Sequence, residues 1–295
     1  HNTAVGFEAS MSSTTSNYNT AVGGKSLCAN TAGFNTSVGY GAGRCTTTGA
    51  KNTIIGAFAL DANTTGAYNV AVGYEALCKN TTASFNTASG YLALCANTTG
   101  CVNAAFGAES LKKNTTGCRN TALGTISLYC NTTGNYNTAV GQAALKHNTT
   151  AGFNTAIGYQ ALEDNTTGCR NTASGVYALN ANTTGCFNIA MGHSSLVYNT
   201  TADNNTALGA CALFANTTGN CNTAAGFKAL VANTTGCRNT AFGVAALQAN
   251  TTGKPNAAFG SKALYSNTTG NHNVALGVQA LYHHTTCLLY TSDAA

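Results

Sequence analysis

The stretch Asn222-Thr-Ala-Ala-Gly-Phe-Lys-Ala-Leu-Val-Ala-Asn-Thr-Thr-Gly-Cys-Arg238 is one copy of a unit that fills almost the whole chain. Seventeen copies begin at Asn2, Asn19, Asn35, Asn52, Asn69, Asn86, Asn103, Asn120, Asn137, Asn154, Asn171, Asn188, Asn205, Asn222, Asn239, Asn256 and Asn273. The step is 17 residues throughout, except for 16 between Asn19 and Asn35. The consensus is N-T-A-V-G-x-x-A-L-x-x-N-T-T-G-x-x, and its positions are numbered here as slots one to seventeen. A fixed period this short means one structural element stacked on itself.

Slot five is glycine in every copy: Gly6, Gly23, Gly39, Gly56, Gly73, Gly90, Gly107, Gly124, Gly141, Gly158, Gly175, Gly192, Gly209, Gly226, Gly243, Gly260 and Gly277. That pattern is expected where the backbone turns with φ > 0 or another backbone comes close. Slot nine is Leu in 15 of the 17 copies, the exceptions being Ser10 and Gly43. Slots twelve to fifteen, N-T-T-G, carry turn chemistry. The apolar runs are too short for helices. Each unit therefore reads as one coil: strand T-A-V, turn at Gly, short strand A-L, turn at N-T-T-G. Stacked coils pair in parallel, which predicts an all-β parallel β-solenoid or β-roll over residues 1–286. Strand spacing makes it a rod on the order of 80 Å long.

No Lys, Arg, Asp or Glu falls at slots three, four, five, eight or nine, so these slots are expected to be buried. Slots three and four are adjacent and apolar, and in a strand they point to opposite faces. One can face the coil interior. The other needs a partner surface, and Ala suits close approach there. The expectation is a homo-oligomer, most simply a trimer, or a filament.

The composition is 7% charged, with one Pro, no Trp and 33 Gly. The net charge of +5 is not concentrated in any basic block, which argues against nucleic-acid binding. No apolar run approaches the ~18 residues of a membrane span. The segment 287–295 reads as the in-frame translation of a transposon-type sequencing adapter and is set aside as a scar. On that reading both natural ends are missing.

At N-T-A-V-G-x-x-A-L the sequence resembles the head repeats of trimeric autotransporter adhesins, whose unit runs roughly S-V-A-I-G-x-x-S-x-A. It also resembles a longer repeat in tail-fibre-type proteins. The matching residues are the slot-four aliphatics, the slot-five glycines and small slot-eight residues such as Ala59, Ala76, Ala93 and Ala144. The resemblance implies a trimeric, left-handed parallel β-roll in an extracellular fibre on a cell or virion surface. It implies attachment to surfaces, with a cell-surface or glycan receptor as partner.

The His and acidic residues are scattered over different slots, so no catalytic site, cofactor site or metal site is expected. Cysteines separated by one 17-residue step form the pairs Cys28/Cys45, Cys78/Cys95, Cys101/Cys118 and Cys169/Cys186. Stacked coils bring such pairs within disulfide range, and free thiols filling tolerant slots are the alternative. The N-T-T triplets at Asn63, Asn80, Asn97, Asn114, Asn131, Asn148, Asn165, Asn182, Asn199, Asn216, Asn233, Asn250 and Asn267 fit two readings. They are N-glycosylation acceptors, or a ladder of stacked amides. The functional expectation is a non-enzymatic structural fibre or adhesin segment. The alternatives are an ice-binding solenoid with Thr ladders and a glycan-coated filament subunit.

Overall fold

Each T-A-V run becomes a three-residue strand that pairs in parallel with its counterpart in the next coil. The computed structural model describes residues 1–286, and the segment read as an adapter scar lies outside them. The chain divides into two units, residues 1–152 and 153–295. The first holds β1 (Thr3–Val5) to β9 (Thr138–Val140), and the second holds β10 (Thr155–Ile157) to β17 (Val274–Leu276). Within each unit like pairs with like: Thr53 with Val70, Ile54 with Ala71, Ile55 with Val72 in the first, and Thr223 with Thr240, Ala224 with Ala241, Ala225 with Phe242 in the second. The fold is a parallel β-solenoid in which one repeat forms one coil, and no helix occurs among the described residues.

Backbone amides bond from coil to coil well beyond the strands. Slot two donates upward and slot five downward, as in Thr53 N to Asn69 O at 2.9 Å and Gly56 N to Val38 O at 2.8 Å. Slots nine, eleven and thirteen also bond to the next coil: Leu60 N to Ala76 O, Ala62 N to Cys78 O, and Thr64 N to Thr81 O. This satisfies polar groups that a folded coil could not leave bare.

The A-L run is not a strand, which corrects the sequence expectation. Slots seven and nine both sit in the left-handed region, as at Glu75 (φ 52°) and Leu77 (φ 54°), so the chain winds through consecutive turns there. Slot seventeen is left-handed as well, as at Tyr68 (φ 59°). A non-glycine residue in that region costs about 1–2 kcal/mol. The coil-to-coil bonds and the burial of the slot-nine Leu offset that cost. The slot-five glycines have φ between 124° and 148°. At Gly73 an added Cβ would also stand 2.5 Å from the carbonyl oxygen of Gly90. Slot-fifteen glycines are held differently: φ is not positive, and crowding from the next coil's carbonyl is what excludes a side chain at Gly66.

The interior is narrow. It consists of slot-three Ala, slot-eight Ala or Ser, slot-nine Leu, and the Asn of slots one and twelve, nearly all fully buried. The facing of slots three and four is the reverse of the expectation that Ala meets a partner. Ala lies inside at 0% exposure, as at Ala122, while the slot-four residue points outward, with Leu123 49% exposed. Ala is the size that fits opposite Leu in so thin a coil.

The 16-residue step leaves strand register intact: Thr20 still pairs with Thr36 and Val22 with Val38. The missing residue is taken from the N-T-T turn. Asn30 Nδ2 there donates to the carbonyl two residues on, Ala32, whereas Asn63 Nδ2 donates to Gly66, three residues on.

Candidate functional site

Two ladders of amides run through the interior. In one, the slot-twelve Nδ2 donates to the Oδ1 of the preceding slot-twelve Asn: Asn97 to Asn80 at 2.9 Å, Asn114 to Asn97 at 2.8 Å, Asn182 to Asn165 at 2.8 Å. In the other, the slot-one backbone N–H donates to the preceding slot-one Oδ1, as from Asn69 to Asn52 at 2.9 Å. Both amides also grip the slot-fifteen carbonyl of their own coil: Asn52 and Asn63 each donate to Gly66 O at 3.0 Å. All thirteen N-T-T asparagines are 0% exposed. A glycan on Nδ2 would need the space and a hydrogen of an atom that is buried and bonded, so the folded coil favours the ladder over the acceptor reading. Sequence reasoning missed the slot-one ladder, although the same residue in all seventeen copies was its signal.

The outward face is built from slots two, four and six. Slot four exposes Ile55 (43%), Phe106 (41%) and Leu123 (49%) in the first unit, and Met191 (48%) and Phe242 (42%) in the second. Slot six adds exposed Tyr74 and Tyr91, and Phe227 in the second unit. A second exposed column lies at slot seventeen. Its rings stack, Tyr68 on Phe85 at 5.0 Å, and its cations sit over rings, as with Arg119 over Tyr136 at 5.2 Å and Arg170 over Phe187 at 5.2 Å. These contacts occupy Lys51, Arg119 and Arg170 locally.

Three of the four expected cysteine pairs meet. The Sγ–Sγ distances are 3.0 Å for Cys78/Cys95, 3.1 Å for Cys101/Cys118 and 3.0 Å for Cys169/Cys186, all as free thiols. Cys28 and Cys45 do not stack. The 16-residue step puts them in slots ten and eleven, and Ala29 N donates to Arg44 O, so the register sets Arg44 above Cys28. At slot sixteen the sulfur also accepts a backbone N–H from the preceding coil: Cys101 N donates to Cys118 Sγ and Cys169 N to Cys186 Sγ, each at 3.0 Å. Ser84 Oγ and Asn135 Oδ1 do the same work at slot sixteen elsewhere.

The acids and cations form short cross-coil or local pairs, Arg44–Asp61 at 2.9 Å and Glu109–Lys112 at 2.8 Å. Burial raises the Asp61 carboxyl above its ordinary value even against the Arg44 guanidinium. Among the described residues one group could hold a metal: Glu75, Cys78 and Cys95, whose ligand atoms lie within 4.8 Å of one another. The stacking of Cys78 and Cys95 was expected from the sequence, and the convergence of Glu75 on them was not. The Cys78 thiol hydrogen-bonds Cys95, which pulls Cys95 down to about 7 and pushes Cys78 up. No helix among the described residues is long and apolar enough to cross a membrane. No protein-family model matches the chain, and no curated protein matches it.

Proposed function

We propose that the chain is a structural segment of an extracellular fibre, without catalysis, that assembles with copies of itself through the slot-four face and presents a long, weakly charged surface for attachment. The supporting observation is the column of exposed Ile, Leu, Met and Phe at slot four. Such a column is apolar surface that water disfavours. Its period is one residue per coil, so a partner must share that period to cover it, and a second copy of this chain does. The interior asparagines bond mainly to one another and to the coil carbonyls in the two amide ladders.

Replacing Phe106 and Leu123 together by Glu tests this. The variant should keep its circular dichroism and lose self-association in light scattering. A folded variant that associates as the parent does contradicts the reading.

Ice binding is the second reading. Slot-two Thr lies on the same outward face in strict register, as Thr121 pairs with Thr138. The adjoining slot four varies in bulk from Ser89 to Phe106, which spoils a flat lattice. Thermal hysteresis of the purified chain separates the two.

A further inference from the structure

We infer that Glu75, Cys78 and Cys95 form a binding site for a thiophilic divalent cation of the Zn2+ or Cd2+ class. Three ligand atoms of the right chemistry converge from two coils, within 4.8 Å of one another. A tetrahedral ion with bonds of about 2.0–2.3 Å sets its ligands roughly 3.3–3.8 Å apart. The sulfurs, at 3.0 Å, need only side-chain rotation to open by less than ~1 Å. All three side chains are half-buried, and a surface hollow lined by Phe58, Asp61, Ala62, Glu75, Cys78 and Lys79 gives access and room for water as fourth ligand.

The charge balance suits the ion. Binding releases the protons of any protonated thiol, and two thiolates and one carboxylate around a dication leave a net charge of −1. Lys79 acts on both sulfurs, and Lys112 on Cys95. The pairs Cys101/Cys118 and Cys169/Cys186 have the same sulfur spacing, but neither belongs to such a three-ligand group among the described residues. They are internal controls.

The test is metal-protected alkylation of the full chain, reduced with a phosphine and stripped by a chelator. With one molar equivalent of Zn2+, labelling by iodoacetamide should slow about tenfold or more at Cys78 and Cys95 and stay unchanged at the four control cysteines. Equal slowing at all three pairs, or none at Cys78 and Cys95, overturns the inference. Glu75→Gln should weaken Cd2+ binding about tenfold while keeping the thiolate-to-cadmium absorption per bound ion. Unchanged affinity in that variant removes Glu75 from the site and overturns the three-ligand assignment.

Discussion

Ile54 occupies the space that Gly43 leaves empty. Its Cδ1 lies 2.6 Å from where a Cβ on Gly43 would stand, with Leu27 Cδ2 3.1 Å away on the other side. Slot nine normally holds Leu and slot three Ala, so here large and small have changed places across neighbouring coils. The backbone is not the obstacle to Leu at residue 43, because Gly43 (φ 59°) is close to the slot-nine leucines (φ 49° to 54°).

This exchange predicts coupling. Gly43→Leu alone should overpack and cost about 1–3 kcal/mol. Ile54→Ala alone should leave a cavity and cost about 2–5 kcal/mol. The double variant restores the consensus at both slots and should unfold near the parent in urea. Additive losses in the double variant contradict the packing.

The slot-twelve ladder has one interior gap, besides Ser13 and His284 in the first and last copies. Thr46 stands where Asn is usual, and its buried Oγ1 has no hydrogen-bond partner. Thr46→Asn should give Asn30 and Asn63 a ladder neighbour and raise stability by about 1 kcal/mol. Asn114→Leu should do the opposite, because Asn97 Oδ1 loses its donor and Asn131 Nδ2 loses one of its two acceptors, keeping Gly134 O, at about 1–3 kcal/mol in all. Thermal unfolding of the two variants should shift in opposite directions.

Positive φ carries two different constraints. Gly73 has φ 129° and faces the Gly90 backbone, so Gly73→Ala should destabilise by more than ~1 kcal/mol. Val102 has φ 60° but is exposed and β-branched, so Val102→Asn should stabilise by roughly 0.5–1 kcal/mol. Equal signs at the two sites in chemical denaturation contradict the backbone geometry.

The cysteine pairs differ by slot. Under a low-molecular-weight disulfide oxidant, Cys101/Cys118 and Cys169/Cys186 should each lose two protons and two electrons and form an S–S bond. The reagent is reduced to two thiols. Peptide mass mapping should recover both bridges and no Cys28–Cys45 bridge. A Cys28–Cys45 bridge forming as fast as the other two contradicts the register across the short coil.

The parts of the fold that one coil dictates by itself were legible. Invariant Gly and near-invariant Leu named the turn and the core, and Leu145 is fully buried beside the half-exposed Lys146. What the pattern hid depends on left-handed residues, which propensity does not foresee. Leu77 at φ 54° looks like a strand residue in sequence and is a corner in the structure. The facing of Ala122 and Leu123 was equally hidden, since alternation says the two faces differ but not which is inside. The Cys78/Cys95 pair was legible from its 17-residue step, but not that Glu75, three residues before Cys78, turns its carboxylate onto the same two sulfurs.

In the proposed fibre, copies of the same chain cover the outward slot-four face. Sedimentation equilibrium of the reduced protein at micromolar concentration tests it most directly. The expected result is a single folded species at a multiple of the 29.8 kDa chain mass, three being the simplest. A well-folded species at 29.8 kDa, with slot four open to water, would contradict it.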